Sequence, residues 1–303
     1  KKIMSLILPS SLLKAIDQRK KEDAFRSLSL KNYIVDFYSN DYLGLAHNPQ
    51  QREYSQALIS REPQYNGSTG SRLLSGNYPL IEQAEEQLAA FHQAPKGLIF
   101  NSGYDANVGI FSSIPLKGDV VLYDQYIHAS IRDGLQLNRA QHFKFKHNSL
   151  EDLEAKLKRF SPSATTLYIA TEAVFSMDGD TPDLPAMVAL AQRYGAYIII
   201  DEAHSVGVFG EKGAGLCQAL GIAQDIFLRL ITFGKGIGAH GAIVLAQAEV
   251  IDYLVNFARS FIYTTAAAPE SIATLMASYA LLPELKERGY LHENIAFFRE
   301  KAK

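Results

Sequence analysis

Ala196-Tyr197-Ile198-Ile199-Ile200-Asp201-Glu202-Ala203-His204 runs from five apolar residues straight into two carboxylates and an imidazole. A run so short, apolar and β-branched predicts a strand buried on both faces, the habit of strands in a parallel sheet. Polar residues that follow such a strand stand at its carboxyl end, where ligands collect in open α/β sheets. The same pattern recurs at Gly97-Leu98-Ile99-Phe100, Val120-Val121-Leu122-Tyr123, Thr166-Leu167-Tyr168-Ile169-Ala170, Leu228-Arg229-Leu230-Ile231-Thr232 and Gly241-Ala242-Ile243-Val244-Leu245. Between these runs, Leu150 to Phe160 and Leu184 to Tyr194 have helical spacing. Asp183 is placed to cap the second, and Pro185 sits early in it, where its missing N–H costs nothing. Alternating strands and helices without a fixed repeat predict a layered α/β domain with a mostly parallel central sheet.

Bulk composition agrees with a packed domain. The 303 residues are 47% hydrophobic and 20% charged, ordinary globular values that exclude extended disorder. Thirty basic against thirty-two acidic residues leave a net charge of −2, which gives no general attraction to nucleic acid or an anionic membrane. One cysteine, Cys217, excludes an internal disulfide and a cysteine zinc cluster, and suits the cytoplasm. Lys1 to Leu8 reads as a helix rather than a secretion signal, since Pro9 ends the apolar run and no small-residue cleavage pattern follows. No stretch approaches the ~20 apolar residues of a membrane helix. Asn66-Gly67-Ser68 fits a glycosylation acceptor but reads as a turn.

The residues after each strand carry the chemistry. Lys235 lies in Thr232-Phe233-Gly234-Lys235-Gly236, where the glycines let backbone and ligand approach closely. Burial would lower its pKa and let its amine attack an aldehyde; alone, it would read as a solvated turn lysine. No Ser or Thr follows Gly234-Lys235, so a Walker-type nucleotide loop is excluded. Asp201 needs a cation or several donors at the end of so apolar a strand; a protonated pyridine nitrogen would serve, as would a loop cap or a metal shared with His204. His204 could reach a ligand's phenolic oxygen, and His128 could lie against an aromatic ring; each could equally be packing under a loop. Ser102-Gly103-Tyr104 opens a helix whose N–H groups could receive a phosphate, although an ordinary serine N-cap explains the same letters. The turn Asn66 to Arg72 is as compatible with turning the chain as with touching a ligand.

In order along the chain, Ser39-Asn40-Asp41-Tyr42-Leu43-Gly44-Leu45, Gly67 to Gly76, Asn101 to Asn107, Asp201 to Gly207 and Thr232-Phe233-Gly234-Lys235 resemble the α-oxoamine synthase family of fold-type I pyridoxal-phosphate enzymes. The resemblance implies that Lys235 carries pyridoxal 5'-phosphate as a Schiff base, Asp201 pairs with the pyridine nitrogen, His204 contacts the phenolic oxygen and His128 stacks on the ring. It implies a phosphate held by Ser102, Gly103, Tyr104 and Thr232, with Ser176 near the phenolic oxygen. Thr264 and Thr265 would reach the neighbouring subunit's phosphate, giving a homodimer with shared sites, and Asn40 would face substrate.

The implied activity joins an amino acid to an acyl thioester, delivered by coenzyme A or a carrier protein, with loss of carbon dioxide and no metal. Motif detail favours L-alanine and a pimeloyl thioester, as in biotin synthesis. The alternatives are a glycine-using 2-amino-3-ketobutyrate ligase, a serine palmitoyltransferase, and a catalytically silent partner subunit. The expected organisation is an N-terminal helical segment (1–38), a large cofactor-binding domain (39–270) and the start of a small C-terminal domain (271–303). That last domain would continue beyond a helix running from Leu291 and would carry an arginine for the substrate carboxylate.

Overall fold

The computed structural model describes residues 8–28, 30, 34–60 and 66–302. It divides into two compact units, Lys1–Tyr38 and Ser39–Lys303. The first contains α1 (Ser10–Lys21), whose last turn carries Arg19, Lys20 and Lys21 where cations favour the helix dipole. Of the helix read at Lys1 to Leu8, residues 1–7 lie outside the described residues, and Leu8 precedes α1.

The second unit holds α2 (Pro49–Ile59), α3 (Pro79–Phe91), β1 (Lys96–Phe100), α4 (Gly103–Ser113), β2 (Val120–Asp124), α5 (Ala129–Gln136), β3 (Gln141–Phe145), α6 (Leu150–Phe160) and β4 (Leu167–Glu172). It continues with α7 (Leu184–Tyr194), β5 (Ala196–Asp201), α8 (Leu216–Ala219), β6 (Leu228–Thr232), β7 (Ala242–Ala246), α9 (Ala248–Phe257), α10 (Arg259–Ile262), α11 (Pro269–Leu281) and α12 (Glu287–Lys301). Seven strands form one sheet in the order β1-β7-β6-β5-β4-β2-β3. β7 runs antiparallel to both its neighbours, and the remaining pairs are parallel. The sheet is thus mostly parallel, as expected, with β7 the exception, because the short Phe233–Gly241 turn returns the chain beside β6 where a crossover helix would be needed for a parallel strand. At that turn Gly241 has φ +106, outside the strand to which the sequence assigned it.

Successive strand residues face opposite sides of the sheet, and each side is covered by helices. On one side Leu98, Val121, Ile199 and Leu230 pack with Ile110 and Phe111 of α4 and Ile131 of α5. On the other, Leu122, Ile169 and Ile198 pack with α6 and α7, while Ile99, Ile231 and Ile243 pack with α3 and α11. Each fully buried leucine or isoleucine contributes roughly 1.5–3 kcal/mol. Both faces being buried is why the strands read as apolar runs. β3 escaped notice because it is an edge strand: only Phe145 of its five residues is buried, so no apolar run marks it.

α7 follows the sequence closely. Asp183 Oδ1 accepts from Ala186 N at 3.1 Å, and Gly195 ends the helix at φ +62. α12 begins at Glu287, four residues before the expected Leu291, and in its first turn Arg288 is turned inward and donates to the carbonyl oxygens of Gly210, Glu211 and Leu282. No helix among the described residues is long and apolar enough to cross a membrane.

Candidate active site

The carboxyl ends of β2, β4, β5 and β6 converge on a cavity of about 260 Å³, lined by Asn40, Ser102, Gly103, Tyr104, Asn107 and His128 together with Glu172, Asp201, His204, Thr232, Lys235 and His240. Asp201 is 6% exposed. Its Oδ1 accepts from Ala203 N at 2.9 Å and its Oδ2 from Asn107 Nδ2 at 2.9 Å, so two neutral donors orient a buried carboxylate toward the cavity. Asn107 also donates to Ser130 Oγ at 3.0 Å, which ties β5 to the start of α5.

Across the ladder Asp201 is in register with Glu172. Burial, and then the neighbouring Asp201 charge, push the Glu172 carboxyl up to about 8, so it keeps its proton at neutral pH. Its Oε1 accepts from the backbone N–H of His128 at 2.7 Å. His128 in turn caps α5, with Nδ1 2.7 Å from Ser130 Oγ. The packing and cavity-facing readings of this histidine therefore coexist.

Lys235 Nζ lies 2.7 Å from His204 Nε2, and His204 Nδ1 lies 2.6 Å from the Tyr42 hydroxyl. Burial holds the lysine below its ordinary range, opposed chiefly by the Asp201 charge. Burial, then the Lys235 and His128 charges, push His204 down to about 4, which leaves it a neutral imidazole. Glu202 plays another part. Its Oε1 accepts from Ser205 Oγ at 2.8 Å and Cys217 N at 3.1 Å, and its other oxygen is 3.6 Å from buried Arg229, so it locks the loop after β5 from behind.

At the other side of the cavity Ser102 caps α4, accepting from Asp105 N at 3.0 Å. A Cβ on Gly103 would stand 2.4 Å from Thr232 Cγ2, so only glycine lets the α4 N-terminus approach β6 this closely. Thr232 Oγ1 is buried and has no hydrogen-bond partner. An orphan hydroxyl beside exposed helix N–H groups suits a phosphate, Asp201 suits a protonated ring nitrogen, and Lys235 suits an aldehyde. Pyridoxal phosphate presents these three groups, so the donor set fits it.

Ser176 stands on an exposed turn and is not among the lining residues; Thr264 and Thr265 also lie off the cavity, where Asn101 Nδ2 donates to Thr264 Oγ1 at 3.1 Å and to the Thr265 carbonyl at 2.7 Å. Tyr42 and Asn107 fall inside the family-like motifs without being assigned to the site, and Ser130 and Glu172 lie outside those motifs. Register would have found Glu172, since it ends β4 as Asp201 ends β5. Asn107 lies one helical turn beyond Gly103 and Tyr104, on the face α4 turns to the sheet. Among the described residues His147, Asp178 and Asp180 stand near enough to one another to take a metal ion, a grouping that does not include Asp201 or His204.

Known proteins share this arrangement of chain. A family model described as aminotransferase class I and II matches residues 32–302. The chain is similar to 8-amino-7-oxononanoate synthase of Emericella nidulans, 44% identical over 310 residues that cover 96% of this chain and 75% of the relative. It is also similar to a solved structure described as SPT with PLP internal aldimine, at TM-score 0.85, 30% identity and coverage of 95% of this chain and 76% of that one. The 8-amino-7-oxononanoate synthase structure from Francisella tularensis matches at TM-score 0.73 and 30% identity, covering 89% and 76%. Across the first two curated relatives the chain spans 75% and 62% of their length. Fold, ordered motifs and these likenesses together make the chain a member of the class I and II aminotransferase family, within its α-oxoamine synthase branch of pyridoxal-phosphate-dependent acyltransferases.

Proposed function

We propose that this protein condenses L-alanine with a pimeloyl thioester, releasing the thiol and carbon dioxide, to form 8-amino-7-oxononanoate for biotin synthesis. The observation that carries the reading is the meeting of Lys235, His204 and Asp201 in one cavity beside the α4 N-terminus, in a chain 44% identical to a protein named for that product. When bound, pyridoxal phosphate supplies an aldehyde that joins amines and a protonated ring that withdraws electrons from the substrate's α-carbon.

The chain's residues do the rest. Burial brings the Lys235 amine toward its neutral form, ready to take the α-proton at Nζ. Asp201, fixed by Asn107 and Ala203, holds a proton on a ring nitrogen by keeping its charge beside it. His204, whose Nε2 meets Lys235, would also face the phenolic oxygen, and His128 would cover the ring. Protonated Glu172 adds no second negative charge that would compete with Asp201. Ser102, Gly103, Tyr104 and Thr232 would hold the phosphate, Ser176 would lie near the phenolic oxygen, and Asn40 would face substrate. Thr264 and Thr265 serve the phosphate of a second copy, which makes the working form a homodimer. Buried Cys217 suits a reducing compartment, the cytoplasm.

A second reading has a specific basis: the solved relatives include serine palmitoyltransferases, among them one from Sphingomonas wittichii at 33% identity, so serine with a longer acyl chain competes with alanine. Borohydride treatment of the purified protein with pyridoxal phosphate should fix the cofactor to Lys235, read by peptide mass. Labelling at another lysine overturns the assignment. Turnover of full-length protein with alanine, glycine or serine against several acyl thioesters then separates the substrates; preference for serine would replace the alanine reading.

A further inference from the structure

One chain of hydrogen bonds leaves the cavity. It runs from Lys235 Nζ to His204 Nε2 at 2.7 Å, from His204 Nδ1 to the Tyr42 hydroxyl at 2.6 Å, and from that hydroxyl to Asn40 Oδ1 at 3.1 Å. Lys235, His204 and Tyr42 are part-buried, and Asn40 is exposed. We propose that Tyr42 is the outer station of a proton path, Lys235–His204–Tyr42, through which the lysine amine exchanges protons with solvent. The inference rests on the reading of Lys235 as the group that takes the substrate's α-proton.

The geometry supports two directions of the same chain. With lysine as an ammonium, Nζ donates to His204 Nε2, Nδ1–H donates to the tyrosine oxygen, and the phenol donates to Asn40. To discharge the lysine, an Nζ proton passes to Nε2, the Nδ1 proton passes to the Tyr42 oxygen, and the phenol's own proton leaves to water at the Asn40 edge. The imidazole gains a proton at Nε2 and loses one at Nδ1, the phenol oxygen exchanges one proton for another, water takes up one and Nζ ends with one fewer, so the sequence balances and no oxidant is required. Afterwards Nε2–H points at the neutral amine and the phenol donates to Nδ1. The reverse sequence recharges the lysine.

Burial raises the Tyr42 phenol above its ordinary value, so it stays a hydroxyl that can both give and accept. The charged and titratable groups facing the chain are Asp201 and Glu172 toward Lys235, and His128 toward His204. None of them bonds to His204 Nδ1, whose partner is Tyr42. Through a ring nitrogen on the far side of His204, Tyr42 acts as a positioning residue without touching the reacting atoms.

Tyr42→Phe keeps the ring and removes the station. In protein loaded with pyridoxal phosphate and given L-alanine in deuterated water, without any thioester, proton NMR reads exchange of the alanine α-hydrogen. The wild type should wash in deuterium, and the variant should slow at least tenfold because the proton on Lys235 returns to the α-carbon it left. Borohydride attachment at Lys235 should remain equal in both proteins, which a general loss of structure would not allow. In cofactor-free protein labelled with ¹⁵N-histidine, the wild type should show a downfield hydrogen-bonded proton on the His204 ring that the variant lacks. Replacing Tyr42 with 3-fluorotyrosine restores the hydroxyl, and should restore exchange with its pH profile moved to lower pH. Unchanged exchange in Tyr42→Phe, or an unchanged His204 spectrum, overturns the path; failure of the wild type to carry the cofactor on Lys235 overturns the functional reading beneath it.

Discussion

Glu172→Gln should flatten the pH dependence of stability in the cofactor-free protein. In the unfolded chain this carboxyl loses its proton near 4.5, whereas in the fold burial and Asp201 hold the proton to about 8. Between those values the native state binds one more proton than the unfolded state, so stability falls as pH rises through the window and is complete only below it. Each pH unit is worth ~1.36 kcal/mol, which sets a ceiling of about 5 kcal/mol across the window and about 3 kcal/mol between pH 6 and pH 9. Glutamine keeps an oxygen to accept from His128 N, now at 2.7 Å, and has no proton to lose. The assay is urea unfolding of both proteins at pH 6 and pH 9. The wild type should lose about 2–3 kcal/mol more than the variant over that interval. Parallel losses, agreeing within ~0.5 kcal/mol, would refute the claim that Glu172 is held protonated.

Two further substitutions probe the cavity walls. Gly103→Ala places a methyl 2.4 Å from Thr232 Cγ2; it should cost about 1–3 kcal/mol and release pyridoxal phosphate more readily, measured by thermal melting and absorbance titration, and full retention of the cofactor would argue against a phosphate at the α4 N-terminus. Asn107→Leu keeps the branched shape but removes the donor to Asp201 Oδ2 and Ser130 Oγ, so urea unfolding should show a loss of about 2–4 kcal/mol. A neutral result there would mean that Asp201 finds another donor on its own.

Much of the site was legible because its residues sit where local patterns end. Asp201 and Thr232 close apolar runs, and Lys235 lies between glycines just beyond one. The partners were not legible. Tyr42 and His204 are 162 positions apart, and Asn107 and Asp201 are 94 apart. No periodicity links such pairs; only the order of strands brings them together. Ser102 and His128 show a related difficulty, since one side chain can cap a helix and line a cavity at once.

By itself the sequence determined the strands buried on both faces, the capped helix at Asp183, and the types of group standing at the strand ends. Those features follow from side-chain burial and backbone geometry over a few neighbouring residues. Folding in three dimensions decided the reversal of β7, the mostly exposed edge strand β3, the pairing of Glu172 with Asp201, and the run of contacts from Lys235 to Tyr42. Each of these depends on which distant segment lies alongside, and that is chosen by the packing of the whole sheet between its two helical layers.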